Sequence, residues 1–435
     1  MIQNDRRALD ARDAGAELHR LVAALYPYCR STTGNGVRAT LRHLQELIPL
    51  ALHEVPSGTR VLDWTVPREW NIKDAYVKDD QGRRVIDFQQ SNLHVAGYSM
   101  PVSTVMPLAE LRRHLITLPD RPDWVPFRTL HAKDDWAFCL SHRALLALED
   151  GQYEVCIDAT LEPGALTYGE YFLPGASSDE VLVSTHVCHP SLCNDNLSGI
   201  AVATHVARAL AGLSRRRYSY RFLFVPATIG SIAWLAANEP NLGRIKHGLV
   251  VACVGDAGRP TYKRTRRGNA DVDRAVLHVL KNSGRDHEIV DFVPYGYDER
   301  QYCSPGFDLP VGCLSRTPNG RFPEYHTSAD NLEFVRPECL AESYSTCLAV
   351  FDVLENNRVY LNQNPKGEPH LGSRGLYRGY PHTDADDLAL LWVLNLSDGR
   401  HRLLDIAERS GTSFATIKRA ADRLLATGLL VEAGA

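Results

Sequence analysis

The feature that most limits what this chain can fold into is a regular alternation of apolar strands and helices between residues 152 and 355. Short apolar runs predict strands at 181–185, 220–225, 247–254 and 309–314, and helical spacing predicts helices at 197–211, 231–238, 271–280 and 337–354. This order predicts an α/β fold with a mostly parallel central sheet and helices on both faces. Ligands of such sheets bind at the carboxyl ends of the strands.

The rest of the chain divides around this region. Residues 1–60 and 152–360 are expected to form one discontinuous α/β domain, with helices over the first 55 residues. Between them, 61–151 contains short alternating runs separated by Gly, Pro and Asp, which predict an inserted β-rich domain. Residues 361–383 are expected to be a linker. Three helical segments and a short strand follow in 384–435, the pattern of a winged helix.

Composition excludes several classes of protein. The net charge is −4 over 435 residues, which lacks the basic excess of a nucleic-acid-binding protein. No run of 18 apolar residues predicts a membrane span, and the N-terminus lacks the apolar core of a secretory signal. The ten cysteines form no CxxC pair, so we expect reduced thiols and a cytoplasmic location.

The stretch from Ser184 to Ile200 contains the strongest chemical signal. His186 lies at the carboxyl end of a predicted strand, and Asp195 lies just before a predicted helix. Imidazole and carboxylate are normal zinc ligands. Each residue alone also fits a structural role, as a core histidine or a helix cap. His326 and Asp256 follow other strands of the same predicted sheet, however, and this convergence favours a metal site.

These motifs resemble the zinc exopeptidases of the aminopeptidase superfamily. The correspondence rests on His186, on Asp195 with Asn196–Gly199, on Asp256 and on Tyr325–Thr327. More narrowly, the chain resembles a bacterial branch that has an inserted β domain, marked here by Ser91–Ser99 and Trp136–Cys139, and a C-terminal winged helix. The resemblance covers nearly the whole chain. It implies a zinc-dependent hydrolase that cleaves a peptide or amide bond.

The resemblance also implies roles for individual residues. His186, Asp195 and His326 would hold zinc, and Asp256 would complete the metal set or bind the substrate's free amine. The superfamily's pair of glutamates falls at Ala227 and Thr228. Threonine at the second position indicates one firmly held zinc ion, with a second ion not excluded.

Ala227 stands where the superfamily has its general base. Alanine cannot accept a proton, and loss of a general base costs about 10²–10⁴ in rate. The chain is therefore expected to be naturally impaired, or the alanine to have been introduced. Glu324 is the one nearby acid that could substitute, and a solvated loop carboxylate is an equally good interpretation.

Further residues are candidates for binding substrate. Asp298, Glu299 and Arg300 precede a strand in a region that borders the substrate cleft in the superfamily, although a plain charged turn fits them as well. Tyr325 belongs to the same candidate set. His189 is a candidate for binding substrate, for supporting the metal ligands or for replacing one of them. Cys188 stands where many relatives have an acid that orients the first histidine, and a thiol does this only weakly.

The winged helix has six Lys and Arg against eight Asp and Glu in 384–435, a net charge of −2. DNA binding needs a basic excess, so we expect the winged helix to serve packing or dimerisation and the protein to be a homo-oligomer. Its expected substrate is a small peptide or amide, and no membrane partner is expected. Two alternatives stay open. One is a tailoring amidohydrolase of a specialised metabolite, and the other is a non-catalytic regulatory protein that senses a small molecule.

Overall fold

A computed structural model describes residues 11–130, 134–377 and 385–433. The chain divides into two compact units. The first contains residues 11–270 and 287–345, and the second contains residues 271–286 and those from 346 onward. No helix among the described residues is both long and apolar enough to cross a membrane.

The structure contains the following helices and strands. The helices are α1 (Ala11–Leu25), α2 (Asn35–Gln45), α3 (Leu108–Leu111), α4 (His142–Leu146), α5 (Gly199–Ala211), α6 (Ile229–Asn238), α7 (Asp271–Asn282), α8 (Glu299–Tyr302), α9 (Pro337–Asn356), α10 (Ala385–Leu396), α11 (Leu403–Ser410) and α12 (Phe414–Ala426). The strands are β1 (Ala51–Pro56), β2 (Arg60–Val61), β3 (Trp64–Thr65), β4 (Glu69–Lys78), β5 (Arg84–Asp87), β6 (Val102–Pro107), β7 (Leu115–Ile116), β8 (Phe138–Cys139), β9 (Gln152–Glu162), β10 (Ala165–Leu173), β11 (Glu180–His186), β12 (Ser219–Val225), β13 (Ile245–Val251), β14 (Thr261–Lys263), β15 (Glu288–Val290), β16 (Val311–Ser315), β17 (Val359–Asn362), β18 (Asp398–Arg402) and β19 (Leu430–Glu432).

The first unit is built on an eight-stranded sheet in the order β1-β10-β12-β11-β13-β16-β14-β15. Its centre, from β12 through β11 and β13 to β16, is parallel. The pairings of β1, β10 and β14 with their inner neighbours are antiparallel. All seven residues of β11 are buried, as expected for a central strand covered on both faces. The predicted α/β class is confirmed.

Two expectations for this unit need correction. Ala51–Pro56 was expected within a helical segment but forms edge strand β1, which pairs with β10. Strand β10 itself was not predicted. Its residues are buried almost throughout, so it lacks the alternation that marks a half-exposed strand. Antiparallel pairing across more than 100 residues of chain, such as Ala51 with Glu170, is a tertiary contact that local patterns do not encode.

The inserted region forms a separate four-stranded sheet in the order β5-β4-β9-β6. Its own apolar core includes Trp70, Val77, Phe138 and Val155. Strand β9 pairs with β4 and β6 and alternates buried and exposed residues. The sheet of the insert therefore extends to Glu162, beyond the expected boundary at 151, because β9 completes the insert rather than the central sheet.

The second unit contains the winged helix. Helices α10, α11 and α12 lie where the sequence predicts helices, and β19 pairs with β17, which also pairs with β18. Strand β17 takes in the first residues of the expected linker, whose residues 378–383 lie outside the described part of the chain. Helix α7, expected in the α/β domain, groups with this unit. Its His278 accepts a hydrogen bond from the Phe414 N–H at 2.9 Å.

Candidate metal centre and its cleft

Strand β11 and the turn before α5 bring His186 and Asp195 into contact. His186 is the last residue of β11, and Asp195 lies in the buried, irregular turn Cys193–Ser198. The Nε2 atom of His186 is 2.8 Å from Oδ1 of Asp195. The two residues that the sequence singled out first therefore meet at the carboxyl end of a central parallel strand.

The residues around Asp195 explain why this turn needs its particular sequence. Asn196 donates to the Thr185 hydroxyl and accepts from the Cys253 N–H, so it ties the ends of β11 and β13 together. Ser198 accepts from the Val254 N–H. A Cβ atom on Gly199 would lie 2.4 Å from the carbonyl oxygen of Val251. Only glycine fits there, because a side chain would collide with backbone.

His326 reaches the same carboxylate from the loop before α9. Its Nε2 atom lies 2.9 Å from Oδ2 of Asp195. Both atoms are buried and lie within ion-pair distance of each other. The backbone of His326 has φ of 56°, a left-handed conformation that is uncommon outside glycine and clusters at functional sites. The loop holds this ring against Asp195 despite that backbone strain.

His189 is the third histidine of the group. Its ring lies 5.0 Å from that of His186 and 5.1 Å from that of His326, between centroids. Possible ligand atoms of His186, His189 and Asp195 all lie within 4.8 Å of one another. Burial lowers the pKa of His189 to about 3, so its imidazole is neutral at ordinary pH and free to bind a metal. The structure places His189 with the metal ligands, which the sequence left open.

The residues present fit a zinc ion. Three imidazoles and one carboxylate are the donors that zinc prefers. Among the described residues, His186 Nδ1 is buried without a hydrogen-bond partner, and Asp195 Oδ2 and His326 Nε2 are buried with only their mutual contact at 2.9 Å. Leaving such atoms unpaired is costly unless something else satisfies them. Burial raises the pKa of Asp195, but the neighbouring histidines outweigh it and hold that pKa well below its usual range.

Asp330 positions the backbone of the Asp195 turn, and the sequence did not single it out. Its carboxylate accepts from the N–H groups of Asn194 at 2.6 Å and of Asp195 at 2.9 Å. Burial raises the pKa of Asp330 to about 8. The available signal was its place in the stretch Tyr325–Asn331, four residues after His326.

Asp256 does not join the metal group, which corrects the expectation for it. Its two oxygens accept from the Asn194 amide, the Gly258 N–H, and the N–H and hydroxyl of Thr317. These donors saturate the carboxylate, so it has no free lone pair to offer a metal or an amine. Its place past a strand end was correctly recognised, but loop contacts, which sequence spacing does not show, turn it toward Asn194.

A smaller cavity lies beside His189 and His326, and a larger one shares Thr32 and Ala227 with it. The smaller, of about 280 Å³, is lined by Cys29, Arg30, Ser31, Thr32, Trp70, Asn92, Val95, Gly97, Phe127, Arg128, Thr129, Cys188, His189, Pro190, Ala227 and His326. The larger, of about 740 Å³, is lined by Thr32, Trp64, Thr65, Pro67, Arg68, Tyr98, Leu130, Asp134, Leu161, Ala227, Thr228 and Ile229. Ala227 faces both of them, so it is a wall residue of the cleft and not a core packing residue.

The inserted β region supplies much of the wall. Phe127 packs edge-on against His189 and His326, with ring centroids 5.3 and 5.1 Å apart. Its N–H also donates to the carbonyl of His326 at 2.8 Å. The insert therefore supports two of the three histidines and shapes the smaller cavity.

Two candidate residues beside His326 lie outside the cavity linings. The carbonyl of Glu324 closes a turn with Thr327, and its carboxylate lines neither cavity. The structure therefore gives no support to Glu324 as a substitute base. Tyr325 stacks on His326 with ring centroids 3.9 Å apart. It orients that ring and does not line either cavity.

The charged run at 298–300 lines neither of the two cavities. Asp298 is fully buried and accepts from the Ser231 hydroxyl at 2.7 Å, and burial raises its pKa to about 6. Glu299 is buried and pairs with Lys263. Arg300 lies over the ring of Tyr295. None of the three lines either cavity, so the predicted substrate contacts are not supported.

Cys188 does not contact His186. Its thiol lies 3.9 Å from Nδ1 of His189 and donates weakly to the Ala227 carbonyl at 3.8 Å. Burial raises its pKa to about 12, so it stays a neutral thiol. It therefore links the His189 loop to Ala227 rather than orienting His186.

The sheet order and the placement of histidines and an aspartate at strand ends define a fold of the aminopeptidase-like class. A zinc aminopeptidase from Bacillus subtilis has the same fold, at a TM-score of 0.57 and 13% identity over 79% of this chain and 95% of that one. The chain belongs to the family described as a domain of unknown function (DUF4910), whose model matches residues 19–357. A winged helix-turn-helix model matches residues 358–432.

Close relatives cover the whole chain. A protein of Clostridium acetobutylicum named "Putative polysaccharide biosynthesis protein with aminopeptidase-like domain" is 52% identical over 97% of both chains. A crystal structure described as a putative peptidase from Clostridium acetobutylicum superposes with a TM-score of 0.93 at 51% identity, covering 99% of this chain and 98% of that one. The winged helix is thus part of a shared two-unit architecture.

Proposed function

We propose that this protein is a zinc-dependent hydrolase of the aminopeptidase type, acting on a peptide or amide bond and impaired at its general base. One observation carries the proposal: His186, His189 and His326 surround the single carboxylate of Asp195 beside a cavity whose wall includes Ala227. The description of the Clostridium structure as a peptidase supports the same reaction class.

Each residue of the site has a distinct role in this proposal. Asp195 and the three histidines would hold the zinc ion. When bound, zinc polarises a carbonyl group and lowers the pKa of water. Asp330 fixes the turn that carries Asp195, and Phe127 and Tyr325 fix the histidine rings. Among the described residues, no carboxylate lines the smaller cavity. A proton released during water attack therefore has no carboxylate acceptor there.

The test restores that acceptor. Ala227→Glu should raise hydrolysis of an N-terminally free peptide or amide roughly 10²-fold or more, because general base catalysis contributes about 10²–10⁴. Ala227→Gln is the matched control, since it has the same size and cannot take up a proton. Zinc content of wild type and both variants should be measured alongside initial rates on a panel of aminoacyl anilides and dipeptides.

The outcomes separate two ideas. A gain with Glu but not with Gln supports the role of position 227. A Glu variant that folds, holds zinc and gains nothing on any substrate would show that this position does not carry the base. Wild-type protein that binds no zinc would contradict the metal site itself.

A sugar-bearing amide is a second candidate substrate. The larger cavity exposes Trp64, which is 56% accessible, beside the polar side chains of Arg68 and Asp134. A sugar ring is apolar on its face and polar at its edge. An exposed aromatic side chain with polar groups next to it can therefore bind such a ring. The polysaccharide-biosynthesis name of the relative favours the same substrates. Amides of amino sugars therefore belong in the substrate panel.

A further inference from the structure

The smaller cavity contains a buried cation whose partners among the described residues include no acid. Arg30 is 1% exposed and lines that cavity. Its Nε donates to the carbonyl of His189 at 2.8 Å, and its Nη1 donates to the carbonyl of Leu25 at 2.6 Å. Its Nη2 is buried and has no partner. A guanidinium therefore presents one unused donor group next to a metal-ligand residue.

Two other largely buried arginines are paired with acids. Arg316, 6% exposed, pairs with Glu342 at 2.9 Å. Arg221 pairs with both Glu170 and Glu180. Arg30 donates only to carbonyl groups and the Thr40 hydroxyl. Its guanidinium carries a positive charge at neutral pH, as arginine side chains in proteins do. A buried charge is costly unless it is paired.

The surroundings of the free Nη2 also suit an anion. The hydroxyl-bearing residues Ser31, Thr32 and Thr129 line the same cavity, whereas Arg128 is solvent-exposed and already donates to the Phe127 carbonyl at 2.8 Å. No carboxylate lines this cavity in the described part of the chain. Because Nε and Nη1 are already bonded, the guanidinium offers a single donor edge. One carboxylate oxygen matches that edge, whereas a phosphate group would need more donors.

We propose that Arg30 binds a free carboxylate on the substrate, close to the bond that the metal centre acts on. The substrate class is then an amide whose leaving portion ends in a carboxylate, such as a dipeptide. The identification of the bound carboxylate as part of a substrate rests on the proposed hydrolase function. The anion site itself depends only on Arg30 and the cavity.

Binding of leucylglycine and of leucylglycinamide tests the proposal. The two probes differ only in a carboxylate and a neutral amide, and titration calorimetry should be done on wild-type protein in a chelator and again with zinc. A charge-assisted hydrogen bond is roughly twice as strong as a neutral one, so the acid should bind at least about tenfold more tightly without zinc. Equal binding of acid and amide by wild type would overturn the proposal.

Three variants locate the effect. Arg30→Met should reduce the preference for the acid to within about twofold, and Arg30→Lys should keep part of it. Arg128→Met changes an exposed side chain and should keep the preference. If Arg128→Met removes it, the exposed arginine is responsible and the proposal is wrong. That variant decides the matter even if Arg30→Met fails to fold.

The zinc arm distinguishes this proposal from the proposed function. Protein that binds no zinc, yet prefers the acid through Arg30, retains the anion site and contradicts only the hydrolase. Protein that binds zinc but shows no preference in the chelator retains the hydrolase and loses the anion site.

Discussion

The candidate metal centre and the winged helix differ in whether their charged and polar groups have partners within the protein. At the metal centre, His186 Nδ1 and Arg30 Nη2 are buried and have no hydrogen-bond partner among the described residues. In the winged helix, the basic residues of α12 are used internally: Lys418 pairs with Asp422, Arg419 with Asp386, and Arg423 donates to the Leu376 carbonyl.

The difference indicates which region uses its polar groups to bind a ligand and which uses them to hold its own fold together. Unpaired buried donors and acceptors are expensive and persist where a ligand completes them. Charges paired within one unit stabilise packing and leave less positive potential for phosphates. In the same unit, Arg274 of α7 pairs with Asp405 and Glu408 of α11. We therefore assign ligand binding to the cleft and expect the winged helix to serve packing.

The largest effect is expected at Asp195. Asp195→Asn removes the one charged ligand shared by the histidines and should lower zinc affinity roughly a hundredfold or more, since even residues that only support ligands are worth 10–100-fold. Asp330→Asn should lower zinc affinity by about 10–100-fold, because Asp330 only supports a ligand. Competition with a chromophoric chelator measures both affinities.

The matched control is Asp291→Asn, whose side chain is 95% exposed. It should leave zinc affinity unchanged. If Asp195→Asn binds zinc as tightly as this control, the four donors do not form a metal site, and the contrast with the winged helix loses its meaning.

A smaller effect is expected at Asp298 in metal-free protein. Burial raises its pKa from 3.8 to about 6. The native state therefore holds this proton more tightly than the unfolded state, which stabilises the fold below about pH 4 and is lost as pH rises through 6. The shift corresponds to about 3 kcal/mol. Relative to wild type, Asp298→Asn should gain roughly that much stability between pH 4 and pH 7.5.

Urea unfolding at several pH values in a chelator measures this gain. Asp291→Asn should show the same stability difference from wild type at every pH. A difference for Asp298→Asn that also stays constant with pH would mean that its carboxyl group is not forced to ionise inside the fold.

The smallest effect concerns DNA. With net charge −2 and its α12 cations paired, the winged helix should bind duplex DNA no more tightly than about micromolar at 150 mM salt. Removing two acidic partners with Asp386→Asn and Asp422→Asn should raise the affinity only a few-fold. Fluorescence anisotropy measures both, and sub-micromolar binding by wild type would contradict the packing role.

The alternation of apolar runs was sufficient to predict the α/β class, the four parallel central strands and most of the longer helices, because burial on two faces is encoded locally in hydrophobic periodicity. Helix α11 and the strand–helix pairs β11–α5 and β12–α6 lie where the periodicity predicts them. The motif residues His186, Asp195 and His326 were also recognisable, because strand ends that are far apart in sequence meet at one edge of a parallel sheet.

Only the tertiary structure shows which side chains of distant loops come into contact. It brings His189 into the metal group, turns Asp256 toward Thr317 and Asn194, and leaves Arg30 without an acid. Each of these outcomes depends on side-chain directions and on contacts between segments many residues apart. Sequence spacing records which donors are available, but only the folded backbone decides which of them converge and which remain unpaired.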